Sequence, residues 1–216
     1  MIEKVNLRDQ VLHYLQQELV HGRIRHGDRL SLASMERVLQ VSVTPVREAL
    51  TQLERTGVVL AIPNRGFFLA PNTVEDAREI YPVIANLEVM AVEGSTFTAA
   101  DIRRLRGLRT AFKRAKDPAA AVRADQNLHD ALIGNFENTC AKRLIADLKL
   151  RVFSYELQYM VDGHKTSTSD KAHGEIIDLL AVGERRKAAN RLKAHWRESL
   201  ELTVKMLSEP RKTTGQ

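Results

Sequence analysis

Four polar side chains stand where a helical chain should place apolar ones. From residue 118 onward, Val122, Leu132, Ile133 and Phe136 form an apolar stripe, and Asp125 and His129 fall on it one turn apart. His173 shares a stripe with Ile176, Ile177 and Leu180, and His195 aligns with Ala188, Leu192, Ser199 and Leu202. A carboxylate turned into a core is costly without a partner, and imidazoles there need hydrogen bonds. Brought together by a helix bundle, one carboxylate and three neutral imidazoles make a donor set suited to a divalent transition metal. A five- or six-coordinate ion would keep room for water or an anionic ligand. A hydrogen-bonded Asp–His cluster without any ion fits the same pattern. Arg151, Tyr155 and Tyr159 are candidates to line a cavity beside this group and meet a carboxylate, or else to serve in packing and at the surface. Hydrolysis at such a metal would need a general base near its bound water. Glu175 is the neighbour in sequence, but it points away from the His173 face. The expectation is therefore a binding protein and not an enzyme.

A second stretch, Ser42 to Gly57, carries a different chemistry. Thr44 before Pro45 predicts a helix start, with Thr44 accepting a bond from the first turn and proline setting φ without losing a needed N–H. Val46, Leu50 and Leu53, with Ala49 beside them, mark the buried face, and Arg47 and Arg55 lie off it. Another amphipathic segment, 32–39, precedes it across a tight turn at Gln40, Val41 and Ser42. Two short helices with a brief connection describe a helix-turn-helix, whose second helix enters the major groove of DNA by its N-terminal end. That nominates Ser42, Val43, Thr44 and Arg47 as DNA-facing. Residues 58–62 and 67–69 are β-prone runs around the turn Pro63-Asn64-Arg65-Gly66, which reads as a wing with Arg65 and Gly66 at its tip.

The elements that must hold these residues follow from periodicity and caps. Leu7, Val11, Leu15 and Leu19 predict a first helix ending near His21-Gly22. Pro71-Asn72 marks a boundary between a domain at 1–71 and a second at 72–209, with a disordered tail at 210–216. In the second domain the pattern predicts only helices, at about 73–94, 98–116, 118–134, 139–161, 170–182 and 185–208, with a polar loop at 163–169. The fold class is thus mainly α: an N-terminal winged helix-turn-helix and a C-terminal antiparallel bundle of about six helices. His13, His21, His26 and His164 fall at ends, loops or flanks and are expected to be solvated.

Charge adds little. The 216 residues carry a net charge of +6, and residues 1–70 hold 9 basic against 7 acidic side chains, so position and not total must argue for nucleic acid. The one cysteine, Cys140, permits no disulfide within the chain and fits a reducing cytoplasm, as a buried or idle thiol. No apolar run approaches the ~20 residues of a membrane span. An N-terminus holding Glu3, Lys4, Arg8 and Asp9 does not read as a signal peptide.

The run Val41-Ser-Val-Thr-Pro-Val-Arg-Glu-Ala-Leu50, with Leu30-Ser31 before it and Leu53-Glu54, Gly57 and Pro63-Asn-Arg-Gly66 after it, resembles the GntR family of bacterial transcription regulators. The remainder, with Asp125-x-x-x-His129 and then His173 and His195, is similar to the FCD domain of the FadR-type subfamily, and six helices suggest its VanR-like branch. The resemblance implies a ligand-responsive regulator, a repressor, binding a palindromic double-stranded DNA operator as a homodimer. It implies zinc, nickel or manganese held by Asp125, His129, His173 and His195, and a small carboxylate effector on that metal. It assigns DNA contacts to Arg47 and Thr44 and the wing tip to Gly66. Several residues depart from the family pattern. Val43 replaces a base-reading Arg, Gln40 replaces a turn Gly and would strain that turn, and His26 replaces a Pro. Ile84 stands where many relatives aim an Arg at the effector cavity. A metal-dependent DNA binder without an organic effector, or a metalloenzyme with a DNA-binding appendage, are the competing expectations.

Overall fold

The structure is a computed structural model that describes residues 6–161 and 167–209. It divides into two compact units, Met1–Pro71 and Asn72–Gln216.

In the first unit, α1 (Leu7–Val20), α2 (Leu32–Leu39) and α3 (Val43–Arg55) are followed by a hairpin of β1 (Val59–Ile62) and β2 (Gly66–Leu69). Asn6 caps α1 through its side chain, and Ser31 caps α2. Val11 and Leu15 of α1, Met35 of α2, and Val46, Ala49, Leu50 and Leu53 of α3 are buried together with Val59, Phe67 and Leu69 of the hairpin. Each large apolar side chain removed from water contributes ~1.5–3 kcal/mol, so α3 is locked by one face with its other face free.

The start of α3 differs from the sequence expectation. Thr44 is not its cap: Ser42 occupies that position without a side-chain cap bond, and the helix begins at Val43. The first-turn N–H groups have no intrahelical acceptor, so proline fits the third helical position as readily as the first.

Gln40 ends α2 in the left-handed conformation, at φ 54° and ψ 41°. A residue with a Cβ is disfavoured there by ~1–2 kcal/mol, and the bond from Gln40 Nε2 to the Arg37 carbonyl offsets part of it. Gln40→Gly relieves this strain while adding freedom to the unfolded chain. We expect a net stabilisation of about 0.5–1 kcal/mol, read as a higher denaturant midpoint at unchanged slope.

The second unit contains α4 (Val74–Glu93), α5 (Ala99–Arg114), α6 (Pro118–Ile133), α7 (Thr139–Val161), α8 (Ser167–Ala181) and α9 (Arg185–Ser208). Thr73 accepts from Asp76 N at the start of α4, Thr98 and Asp101 complete a reciprocal capping box on α5, and Asp117 caps α6 with Pro118 in its first turn. Helix α8 begins earlier than expected, so residues 167–169 are helical and not loop. The rest of the expected loop, His164 and the tail from 210 lie outside the described residues. Helix α4 packs on α9 and α7, α5 on α6 and α8, α8 on α9, and α6 on α7. The core joins Tyr81, Ile84, Leu105, Leu128, Leu132, Ile145, Tyr155, Ile176, Leu192 and Trp196. Cys140 is exposed, against the buried alternative. Among the described residues, no helix is long and apolar enough to cross a membrane.

Candidate metal centre and nucleic-acid interface

Helices α6, α8 and α9 turn His129, His173 and His195 to one point in the second unit. All three are buried, and they offer ligand atoms within 4.8 Å of one another. Asp125, one turn before His129 on α6, sets its carboxylate 3.4 Å from His173 Nε2 and 3.8 Å from His129 Nε2. The four residues singled out by their stripes therefore lie in one cluster.

These groups do not satisfy one another. Among the described residues, His129 Nε2, both ring nitrogens of His173 and Nδ1 of His195 find no hydrogen-bond partner, and all are sealed from solvent. Burial holds His173 well below the ordinary imidazole range, with neighbouring His195 and His129 adding to the effect. Burial and His129 bring His195 down to about 3. Burial pushes the Asp125 carboxyl up. His173 and His195, kept neutral with lone pairs to spare, beside a carboxylate that burial penalises, are what a divalent cation would satisfy. The donor set fits a metal better than it fits a closed hydrogen-bond network.

Glu88 was not anticipated from the sequence. It is fully buried on α4, accepts from His129 Nδ1 at 2.6 Å and Trp196 Nε1 at 2.8 Å, and pairs with Lys149 at 3.4 Å. Burial would raise its carboxyl, but His129 and Lys149 outweigh that and hold it at about 2. In turn the Glu88 carboxylate overcomes burial to lift His129 above its usual value. Holding Nδ1 as the donor leaves Nε2 facing the cluster, as an outer carboxylate does for a metal-bound histidine. The signal was present: Glu88 interrupts the buried series Tyr81, Ile84, Ala85, Ala91, Val92 of α4 as Asp125 interrupts that of α6.

A cavity of about 40 Å³ opens against the cluster, lined by Asp125 and His195 and, among others, Tyr159, Glu156, Ser199 and Thr203. Of the three expected pocket residues, Tyr159 lines it. Arg151 and Tyr155 do not, because both engage Asp76 at the start of α4, Tyr155 through its hydroxyl at 2.8 Å and Arg151 through an ion pair. They tie α7 to α4. Glu175 is paired with Arg191 at 2.5 Å, away from the cluster, and offers no general base.

In the first unit, the tip of α3 exposes Ser42, Thr44 and Arg47, with Val43 half-buried. The Arg47 guanidinium has no ion-pair partner among the described residues, and the N–H groups of Val43 and Thr44 precede any intrahelical acceptor. Such an end suits phosphate or base edges. The hairpin pairs Ile62 with Gly66. Its tip is shaped by Asn64 at φ 61° and Gly66 at φ 94°, and the exposed Arg65 guanidinium stands 5.5 Å from the Phe68 ring centroid.

Comparison with known proteins agrees with both units. The model of bacterial regulatory proteins of the gntR family matches residues 7–69, and that of the FCD domain matches residues 79–198. The chain belongs to the GntR family and carries an FCD domain. This GntR-family chain is similar to the HTH-type transcriptional regulator YdhC of Bacillus subtilis, at 25% identity over 93% of this chain and 92% of that one. It is also similar to the Nta operon transcriptional regulator of Aminobacter aminovorans, at 28% identity over 82% and 84%. Among solved structures, a GntR transcriptional regulator from Rhodococcus sp. RHA1 superposes with a TM-score of 0.76 at 24% identity, covering 94% of this chain and 99% of that one. Escherichia coli McbR/YncC gives 0.75 at 19% identity, covering 93% and 98%. Those two likenesses establish the fold. The GntR-family protein is thus a bacterial transcriptional regulator and not an enzyme, with a DNA-binding winged helix-turn-helix and an effector-type FCD domain.

Proposed function

We propose that this regulator is a cytoplasmic homodimeric repressor of the VanR-like branch. It places two α3 tips on a palindromic operator and leaves it when a small organic acid binds beside a metal in the FCD domain. One observation carries the reading: a cavity bordered by Asp125 and His195, beside imidazole nitrogens that have no hydrogen-bond partner among the described residues. Asp125, His129, His173 and His195 would hold zinc, nickel or manganese, and the ion would supply a Lewis-acid site for a carboxylate. Ser42, Val43, Thr44 and Arg47 would meet the major groove, with Arg65 and Gly66 at the flanking minor groove or phosphates. Half-sites of a dimer fall about one helical turn, ~34 Å, apart. The acid can lower operator affinity only by preferring the arrangement that does not bind DNA.

The test uses metal-loaded protein and DNA from upstream of its own gene, with binding followed by fluorescence anisotropy. Two chains per fragment, and release by a small acid only while metal is present, support the proposal. Release by chelator but by no acid would replace it with a metal-dependent DNA binder. One chain per site would remove the dimer.

Glu88 gives a separate check. Glu88→Gln keeps the shape but loses the charge that orients His129, so metal affinity, measured by chelator competition, should fall ~10–100-fold. Unchanged affinity would mean that the Glu88 charge does not support the metal site.

A further inference from the structure

Glu156 on α7 is the group in this cavity that the reading above leaves unused. It lines the cavity with Asp125 and His195, and its Oε2 is sealed from solvent without a hydrogen-bond partner among the described residues. No Lys or Arg is among the described residues that line the space. The buried cation Lys149 is already taken, at 2.7 Å from Asp130 and 3.4 Å from Glu88. Burial and the Asp125 carboxylate both push the Glu156 carboxyl well above its ordinary range. The metal would take up Asp125 and leave Glu156 facing the ligand space alone.

Charge then selects the ligand. A divalent cation would oppose the burial that otherwise keeps Glu156 protonated; with Asp125 and the ionised Glu156 it sums to zero. A plain carboxylate would add a negative charge and bring no donor to Glu156. A zwitterion would add none, and its ammonium would give Glu156 a charge-assisted hydrogen bond. Resting on the effector site proposed above, we infer that the effector is a small amino acid or similar aminocarboxylate, its carboxylate toward the metal and its ammonium on Glu156.

The experiment uses full-length, metal-loaded protein and probes that differ only in the amino group: glycine against acetate, alanine against propionate, and serine against 3-hydroxypropionate. Affinity is measured by calorimetry and by thermal shift, with metal content checked after each titration. In wild type, the amino member of at least one pair should bind roughly 10–100-fold tighter, since its partner leaves a carboxylate unmatched. In Glu156→Gln that preference should collapse to within about threefold, while the unliganded variant melts no lower than wild type, because Gln keeps the shape of a carboxyl that burial already penalises. A preference retained in Glu156→Gln means that the amine binds the metal and overturns the inference. Equal or tighter binding of the plain acids also overturns it, yet leaves the effector site standing. If no acid of either kind binds, and none shifts operator affinity, the effector site itself is refuted.

Discussion

Protein carrying His173→Ala is expected to come through purification without stoichiometric metal. His173 contributes two sealed nitrogens without hydrogen-bond partners at the centre of the cluster, its ring 5.5 Å from that of His129 and 5.0 Å from that of His195. No neighbour among the described residues stands ready to replace it, so the fall in affinity should exceed the ~10–100-fold typical of outer-partner changes. Elemental analysis after dialysis reads this directly, and stability gives an independent measure. An ion present at ~100 times its dissociation constant adds ~2.7 kcal/mol to the fold that binds it. Wild type should therefore melt higher on adding metal, and the variant should not. His195→Ala should behave alike. Metal content and thermal gain that match wild type in both variants would leave the four side chains as a polar cluster only.

The other large effect is on DNA. Arg47→Ala should weaken operator binding by ~1–3 kcal/mol, or roughly 5–150-fold, and relax sequence preference at the base pair that it reads. Arg47 is exposed at the tip of a helix whose opposite face is fixed by Val46, Leu50 and Leu53, so the change should leave the fold intact. Arg65→Ala provides the contrast. Without a guanidinium to grip phosphate, the wing should bind all sequences more weakly by the same factor, and the salt slope should fall by about one. Wild-type affinity and preference in Arg47→Ala would place the groove-reading side chain elsewhere.

Sequence by itself determined the elements and their inward faces. Apolar spacing and local caps are short-range facts, so Thr98 with Asp101, Asp117 with Pro118, and the stripes bearing Asp125, His129, His173 and His195 were all legible. Legibility failed where two helix starts offered equivalent chemistry, as at Ser42 and Thr44, because any first-turn position tolerates proline. Which inward groups meet was decided only by tertiary structure. Arg151, Tyr155 and Tyr159 share one helix and four-residue spacing, yet the first two are drawn to Asp76 at the start of α4 while the third reaches the cavity. Glu88 finds His129 and Trp196 across 41 and 108 residues of chain, respectively. Periodicity fixes a side chain's direction about its own axis. It carries no information on how far one helix slides along another, and that offset sets which polar groups come within bonding distance.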